Sequence, residues 1–269
     1  MPTIITRPAV PFIHAAEQEI IHRIGPFCTA IAGVRDGKMM TAASGTLVSV
    51  GGRGCLLTAH HVLYGKPRRK IPGVLDFEQL GIFSNRGEYQ HTFPREWFVD
   101  VPIGIPGVAG EPDLAALVLP DVFVSRFKAM SKAFFNLDRL STAKVRRARV
   151  RERMEMVFAG VPWSERRVTP DGIETKFMLG HLLEGVETSR RGFTFMRVSI
   201  GYEPPARPPM DFHGVSSGGL WLIPTKEEAP GALIVSGSPL LAGVAFMSHM
   251  RNGSVTSLRI PLKAIACSA

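Results

Sequence analysis

A chain of 269 residues, 45% of them hydrophobic, has the material for one large all-β unit or two small barrels with a packed interior. Three cysteines (Cys28, Cys55 and Cys267) cannot complete a disulfide framework, and buried thiols in a reducing compartment are expected. The excess of 32 Lys and Arg over 23 Asp and Glu gives a formal charge of +9, but much of it lies in two runs, Lys66 to Lys70 and Lys144 to Arg153. Neither run is interleaved with aromatic residues, so both read as solvated loops and no nucleic-acid partner is expected.

Residues 1–12 are punctuated by proline and are expected to lie across the surface. Their opening, Met1-Pro-Thr-Ile-Ile-Thr-Arg, lacks the basic start and apolar core of a secretory signal, which predicts a cytoplasmic protein. The spacing of Ala15, Ile20, Ile21 and Ile24 predicts a short amphipathic helix over 14–24. Strands follow at 27–34, 42–50 and 55–59, with Gly51-Gly52-Arg53-Gly54 as a hairpin turn and one helical turn after 62 that Gly65 and Pro67 stop. Further strands are predicted at 80–83, 88–93 and 114–119, then a helix near 124–133 and the basic run. The second half restarts with a strand at 154–161, followed by 175–186, 193–202, 220–223, 232–235, 240–246 and 255–260, and a short terminal helix from Leu262. The uncharged segment 230–250 is interrupted by Gly231, Gly237, Ser238, Pro239 and Gly243, and so reads as strands and a turn rather than a membrane span.

Three short stretches carry chemistry. His213-Gly-Val-Ser-Ser-Gly-Gly-Leu-Trp221 is a tight turn feeding an apolar strand, a place where a serine hydroxyl and neighbouring N–H groups can be exposed together. Leu56-Leu-Thr-Ala-His-His-Val62 is an apolar strand ending in two histidines. Glu111-Pro-Asp-Leu-Ala-Ala-Leu117 sets an acid at the mouth of another strand. Their order is His, Asp, Ser.

These stretches resemble the blocks of trypsin-like (chymotrypsin-fold) serine peptidases of bacterial type, similar to glutamyl endopeptidases and heat-shock serine peptidases. Leu-Thr-Ala-His-His-Val matches Leu-Thr-x-x-His-Val, Asp113-Leu-Ala matches Asp-Leu/Ile-Ala, and Gly214-Val-Ser-Ser-Gly-Gly-Leu resembles Gly-Asp-Ser-Gly-Gly-Pro. Ser217 departs from the pattern, standing where the family has glycine, and Gly219 stands where proline is usual. The resemblance implies an all-β protein of two six-stranded antiparallel barrels. An extension (1–26) would precede a first barrel (27–140) carrying the histidine and aspartate and a second (141–269) carrying the serine.

The roles that follow are His61 as base, Asp113 as orienting acid and Ser216 as nucleophile, with the N–H groups of Gly214 and Ser216 forming the oxyanion hole. His60 is the competing histidine, Asp100 and Asp121 are the fallback acids, and Ser217 is the competing serine. The family's primary pocket maps onto Met210, His213, Phe246, Met247 and Ser248, which favours apolar side chains before the scissile bond and acidic ones, through His213 or His249, second. Val215 replaces the aspartate that pairs with a new N-terminus in zymogens, so activity without trimming is expected. Restraint would then come from a narrow range of peptide substrates or from a protein partner that orders the loop 203–212. No cofactor or metal is expected, since the eight histidines show no paired-ligand spacing. The alternatives are an esterase using the same groups and a binding module with a degraded site.

Overall fold

The computed structural model describes residues 3–6, 14–36, 38–66, 71–83, 90–103, 112–140, 154–161, 166–169, 172–175, 178–190, 193–201, 217–229, 232–244, 246–251 and 254–259. Strand β1 (Thr3–Thr6) and helix α1 (His14–Ile24) come first. The first set of strands is β2 (Cys28–Arg35), β3 (Lys38–Val50), β4 (Arg53–Thr58), β5 (Gln79–Phe83), β6 (Gln90–Pro94), β7 (Val99–Pro102), β8 (Ala115–Val118) and β9 (Phe135–Asn136). Among them lie helices α2 (His60–Tyr64) and α3 (Asp121–Ala129). The second set begins with β10 (Met154–Gly160), the hairpin β11 (Arg166–Thr169) and β12 (Gly172–Thr175), β13 (Met178–Arg190) and β14 (Phe193–Gly201). It continues with β15 (Gly219–Ala229), β16 (Ala232–Val235), β17 (Leu240–Val244), β18 (Phe246–Arg251) and β19 (Ser254–Arg259).

In the first sheet the strand order is β6-β5-β2-β3-β4-β8-β7. Its two outer members, β6 and β7, are consecutive pieces of one stretch of chain joined through a single 3-10 turn, Arg95–Trp97. The sheet therefore curls round until one bent strand serves both edges, which makes a closed barrel of β2, β3, β4, β5, β6/β7 and β8.

The second unit repeats the design. There β10 pairs with both β13 and β15, as β2 pairs with both β3 and β5. Strand β17 pairs with β15 and β18 with β19, and β19 lies against β14. The molecule is thus all-β, antiparallel apart from the two-residue parallel pairing of β9 with β3, and has few short helices, the chymotrypsin-like architecture that the resemblance implies.

Alternation along the strands sorts the core into two parts. Leu47, Leu56, Ala115 and Leu117 point into the first barrel with Ile31, Leu80 and Ile82, while their neighbours Val48, Cys55, Leu57 and Ala116 face outward. The outward set meets Val157, Ala159, Trp221 and Leu241 of the second unit in a shared apolar layer. Trp221 is fully buried there, with ring centroids 5.4 Å from Phe27 and 5.5 Å from Phe135. Helix α3 caps the first barrel with Phe123, whose ring lies 4.0 Å from Phe93 and 5.4 Å from Phe98. Burial of each such ring contributes about 1.5–3 kcal/mol.

Two expectations need correction. Residues 3–6 are not simply laid over the surface: β1 pairs with β13 through Thr3 to Thr6 against Glu184 to Glu187, beyond the reach of β10 on the same edge. The helical turn expected after 62 begins at His60, so the two histidines belong to a helix and not to the strand end. The terminal helix from Leu262, the loop 203–212 and the boundary at 140/141, which adjoins residues 141–153, lie outside the described residues or at their edge.

Candidate active site

The apolar strand β4 runs into Ala59, whose extended backbone (φ −73°, ψ 144°) starts α2. Val62 and Leu63 of that helix are buried in the first barrel, which fixes the side it turns to the core. Gly65 ends it with a φ of 74°, the left-handed region that favours glycine. A Cβ at Gly65 would lie 2.4 Å from the carbonyl oxygen of Ile71, so the chain here packs backbone against backbone. Helix α2 is held at both ends.

Asp113 sits immediately before Leu114 and β8, and β8 pairs with β4, so the sheet brings the acid beside the histidines. Its carboxylate engages His61 twice. Oδ1 accepts the backbone N–H at 2.9 Å, and Oδ2 lies 2.5 Å from ring Nδ1. The two side chains are only 13% and 14% exposed, so the contact is shielded from water. With Nδ1 engaged, Nε2 is the nitrogen left to exchange a proton with another group. Burial works to raise the Asp113 carboxyl, but the side-chain hydrogen bond, electrostatic attraction and backbone N–H of His61, with a smaller contribution from His60, hold it below the ordinary carboxylate value.

His60 points elsewhere. Within a helix successive side chains diverge by about 100°, and His60 stacks on Tyr64, four residues on, at 4.3 Å between centroids. Its Nδ1 is buried without a hydrogen-bond partner among the described residues. Burial pushes the ring below its ordinary value, and the charge of His61 adds to that against the opposing pull of Asp113. The two histidines thus diverge by helical twist, both belonging to α2. Tyr64 in turn donates its hydroxyl proton to Asp100 at 2.6 Å, while Asp121 begins α3. Neither fallback acid contacts His61.

Ser217 is described and fully buried. Its φ of 87° is left-handed, which accounts for the family's glycine at this place. Its Oγ accepts the N–H of Ala59 at 2.6 Å, and its carbonyl oxygen accepts the hydroxyl of Thr46 at 3.5 Å. Next to it, a Cβ on Gly218 would fall 2.1 Å from the carbonyl oxygen of Ala159, so this residue admits only glycine without movement of β10. The turn is gripped by both units. Nearby, Ser44 Oγ accepts the N–H of Val161 at 2.7 Å and Ser44 O accepts the hydroxyl of Thr58 at 3.1 Å, extending the polar seam. Sequence reasoning missed Ala59 and Thr46 as partners of this turn; the signal was a serine at a glycine position.

Ser216, Gly214, Met210 and His213 lie outside the described residues. Phe246, Met247 and Ser248 occupy the first half of β18. Among the described residues no group of three His, Cys, Asp or Glu side chains could hold a metal ion, and no helix is long and apolar enough to cross a membrane. Cys28 and Cys55 are buried free thiols.

No family model matches the chain, and no curated protein matches its sequence. Among solved structures, the chain is similar to the tobacco vein mottling virus protease at 12% identity and a TM-score of 0.44, over 92% of this chain and 83% of that one. It is similar to Rv3671c of M. tuberculosis H37Rv, in an inactive serine-to-alanine form, at 12% identity and a TM-score of 0.47, over 96% and 91%. It is also similar to the serine endoprotease of Yersinia pestis at 15% identity and a TM-score of 0.44, over 91% of this chain and 61% of that one. At these values the fold assignment rests on strand order and closure.

Proposed function

We propose that the protein is a serine endopeptidase in which His61 is the general base, Asp113 its orienting acid and Ser216 the nucleophile. The observation that carries this is the double engagement of His61 by Asp113, at the ring and at the backbone. A buried carboxylate on Nδ1 fixes the tautomer, directs Nε2 to the reaction and stabilises the imidazolium as it forms. The burial of Ser217, whose Oγ is occupied by Ala59, supports its neighbour Ser216 as the nucleophile.

In the proposed reaction Ser216 Oγ attacks the scissile carbonyl as its proton passes to His61 Nε2, and the N–H groups of Gly214 and Ser216 receive the oxyanion. Collapse of the intermediate breaks the C–N bond, and His61 returns the proton to the leaving amine. Water, deprotonated by the same nitrogen, then releases the acyl group and restores the serine. Met210, His213, Phe246, Met247 and Ser248 would line the primary pocket, which favours apolar side chains before the cleaved bond.

The binding-module reading draws on two departures from the resembled pattern, Ser217 at a glycine position and Gly219 at a proline position. The hydrogen bond from Ala59 accommodates that serine, so the departure does not by itself favour a degraded site. Labelling with a fluorophosphonate probe, followed by cleavage of a proteome-derived peptide library, tests the peptidase. Labelling that is abolished by Ser216→Ala and persists in part in Ser217→Ala supports it; an unlabelled wild type, or the reverse pattern between the two serines, overturns it.

A further inference from the structure

We infer that Ser217 is a positioning residue for His61, a role that rests on the peptidase reading above. Three non-glycine residues among those described have left-handed backbone, Asp36, Ser131 and Ser217, and of these only Ser217 is buried. Such a conformation is costly for any residue with a Cβ and is relieved by glycine. The serine brings a hydroxyl that glycine lacks, and that hydroxyl accepts the N–H of Ala59 at 2.6 Å.

Ala59 is fully buried and precedes α2, and its own side chain cannot cap the helix. A helix of five residues does not hold its place by its own hydrogen bonds. Two backbone N–H groups at its start are instead anchored from the two sides of the molecule. Asp113, from the first unit, takes the N–H of His61, and Ser217, from the second, takes the N–H of Ala59. The first contact orients the imidazole within its own barrel. The second ties the start of α2 to Ser217, which directly follows Ser216 in the sequence, and so fixes the helix that carries the base against the second unit. Thr46 completes the clamp on the carbonyl side of Ser217.

Two variants separate positioning from folding. Ser217→Ala keeps the backbone cost and removes the acceptor; Ser217→Gly removes the acceptor and the backbone cost together. For positioning, kcat on a peptide that the wild type cleaves falls about 10-fold or more in both, the scale of one lost hydrogen bond. KM stays within about twofold, since only the interaction at the reacting groups is lost. The downfield proton resonance of His61 Nδ1 shifts or broadens in both variants, even though Ser217→Gly keeps the wild-type melting temperature. A Ser217→Gly enzyme with wild-type kcat and an unchanged resonance overturns the proposal while leaving the peptidase standing. Loss of folding in both variants assigns Ser217 to the fold alone and also overturns it. A wild type that neither takes the probe nor cleaves peptide overturns this role together with the peptidase reading.

Discussion

Asp113 holds His61 at two points, the backbone N–H and ring Nδ1, with one carboxylate oxygen to each. An amide in its place keeps the shape and offers an N–H to one of two donors. Asp113→Asn is therefore expected to lower kcat on the order of 10⁴-fold, the scale of a lost orienting carboxylate in serine proteases. Steady-state kinetics on a cleaved peptide measures this. A loss below tenfold would remove Asp113 from the role.

The same carboxylate links stability to acid. Its folded-state value lies below the ordinary one, so its contribution is present above the unfolded carboxyl value and is lost as pH falls through the folded one. Urea midpoints measured between pH 6 and pH 2 should fall more steeply for the wild type than for Asp113→Asn. Parallel curves would contradict the pairing.

Lys132 and Cys28 set the alkaline side. Lys132 is 7% exposed and donates to the carbonyl oxygens of Cys28, at 2.5 Å, and Gly25, at 3.2 Å. Burial lowers its ammonium from 10.5 to about 8, and burial raises the Cys28 thiol from 9.0 to about 12. Between roughly pH 8 and 10.5 the unfolded chain holds the lysine proton that the folded one has released, so stability rises with pH through that term. Between 9 and 12 the folded chain keeps the thiol proton that the unfolded one has lost, so stability falls through that one. The expected profile climbs from pH 8 and turns over above 9, where the Cys28 thiol, together with the raised Cys55 thiol, opposes the lysine. Lys132→Met should remove the climb and Cys28→Ala should soften the decline, to which the raised Cys55 thiol and Tyr64 hydroxyl also contribute, as read from denaturant midpoints.

Helix α1 is part of the core. Ile20 and Ile24 are completely buried in the layer between the two units. Ile20→Ala is expected to cost about 2–5 kcal/mol, and deletion of residues 1–24 to lower the unfolding midpoint without activating the enzyme. A truncated protein more active than the full chain would refute this.

Gly218→Ala tests the seat of the serine turn. The added methyl carbon would meet the backbone of Ala159 at 2.1 Å, where no flexible side chain can yield. Both melting temperature and probe labelling should drop, since β10 and the turn must part. An unchanged melting temperature would show that the turn is loosely seated.

Most strands were legible because alternation and glycine turns are local signals, and 232–235 and the helix 14–24 agree to the residue. Strand β7 was missed because Val99 and Val101 expose their apolar side chains, so its pattern lacks a buried face. The hairpin of β11 and β12 escaped for want of an apolar run. The doubling of the six-strand plan left no repeat in the sequence, since each barrel needs only apolar alternation and not particular side chains. His61 and Asp113 were legible as candidates because His61 follows an apolar strand and Asp113 precedes one. The partner of Ser217, Ala59, is 158 positions away, and no local pattern announces a contact made by a backbone N–H.

The pairing of β1 with β13 and the seating of α1 against β16 bear on how the chain is made. Residues 3–24 leave the ribosome before all else described here, yet their partners at 184–187 and 232–235 are synthesised some 200 positions later. Thr3 to Thr6 and the side of α1 that meets β16 lack these partners until the chain has been made that far. Contacts of such sequence separation form late and slowly, so this opening segment is the part of the nascent chain most in need of a chaperone's cover.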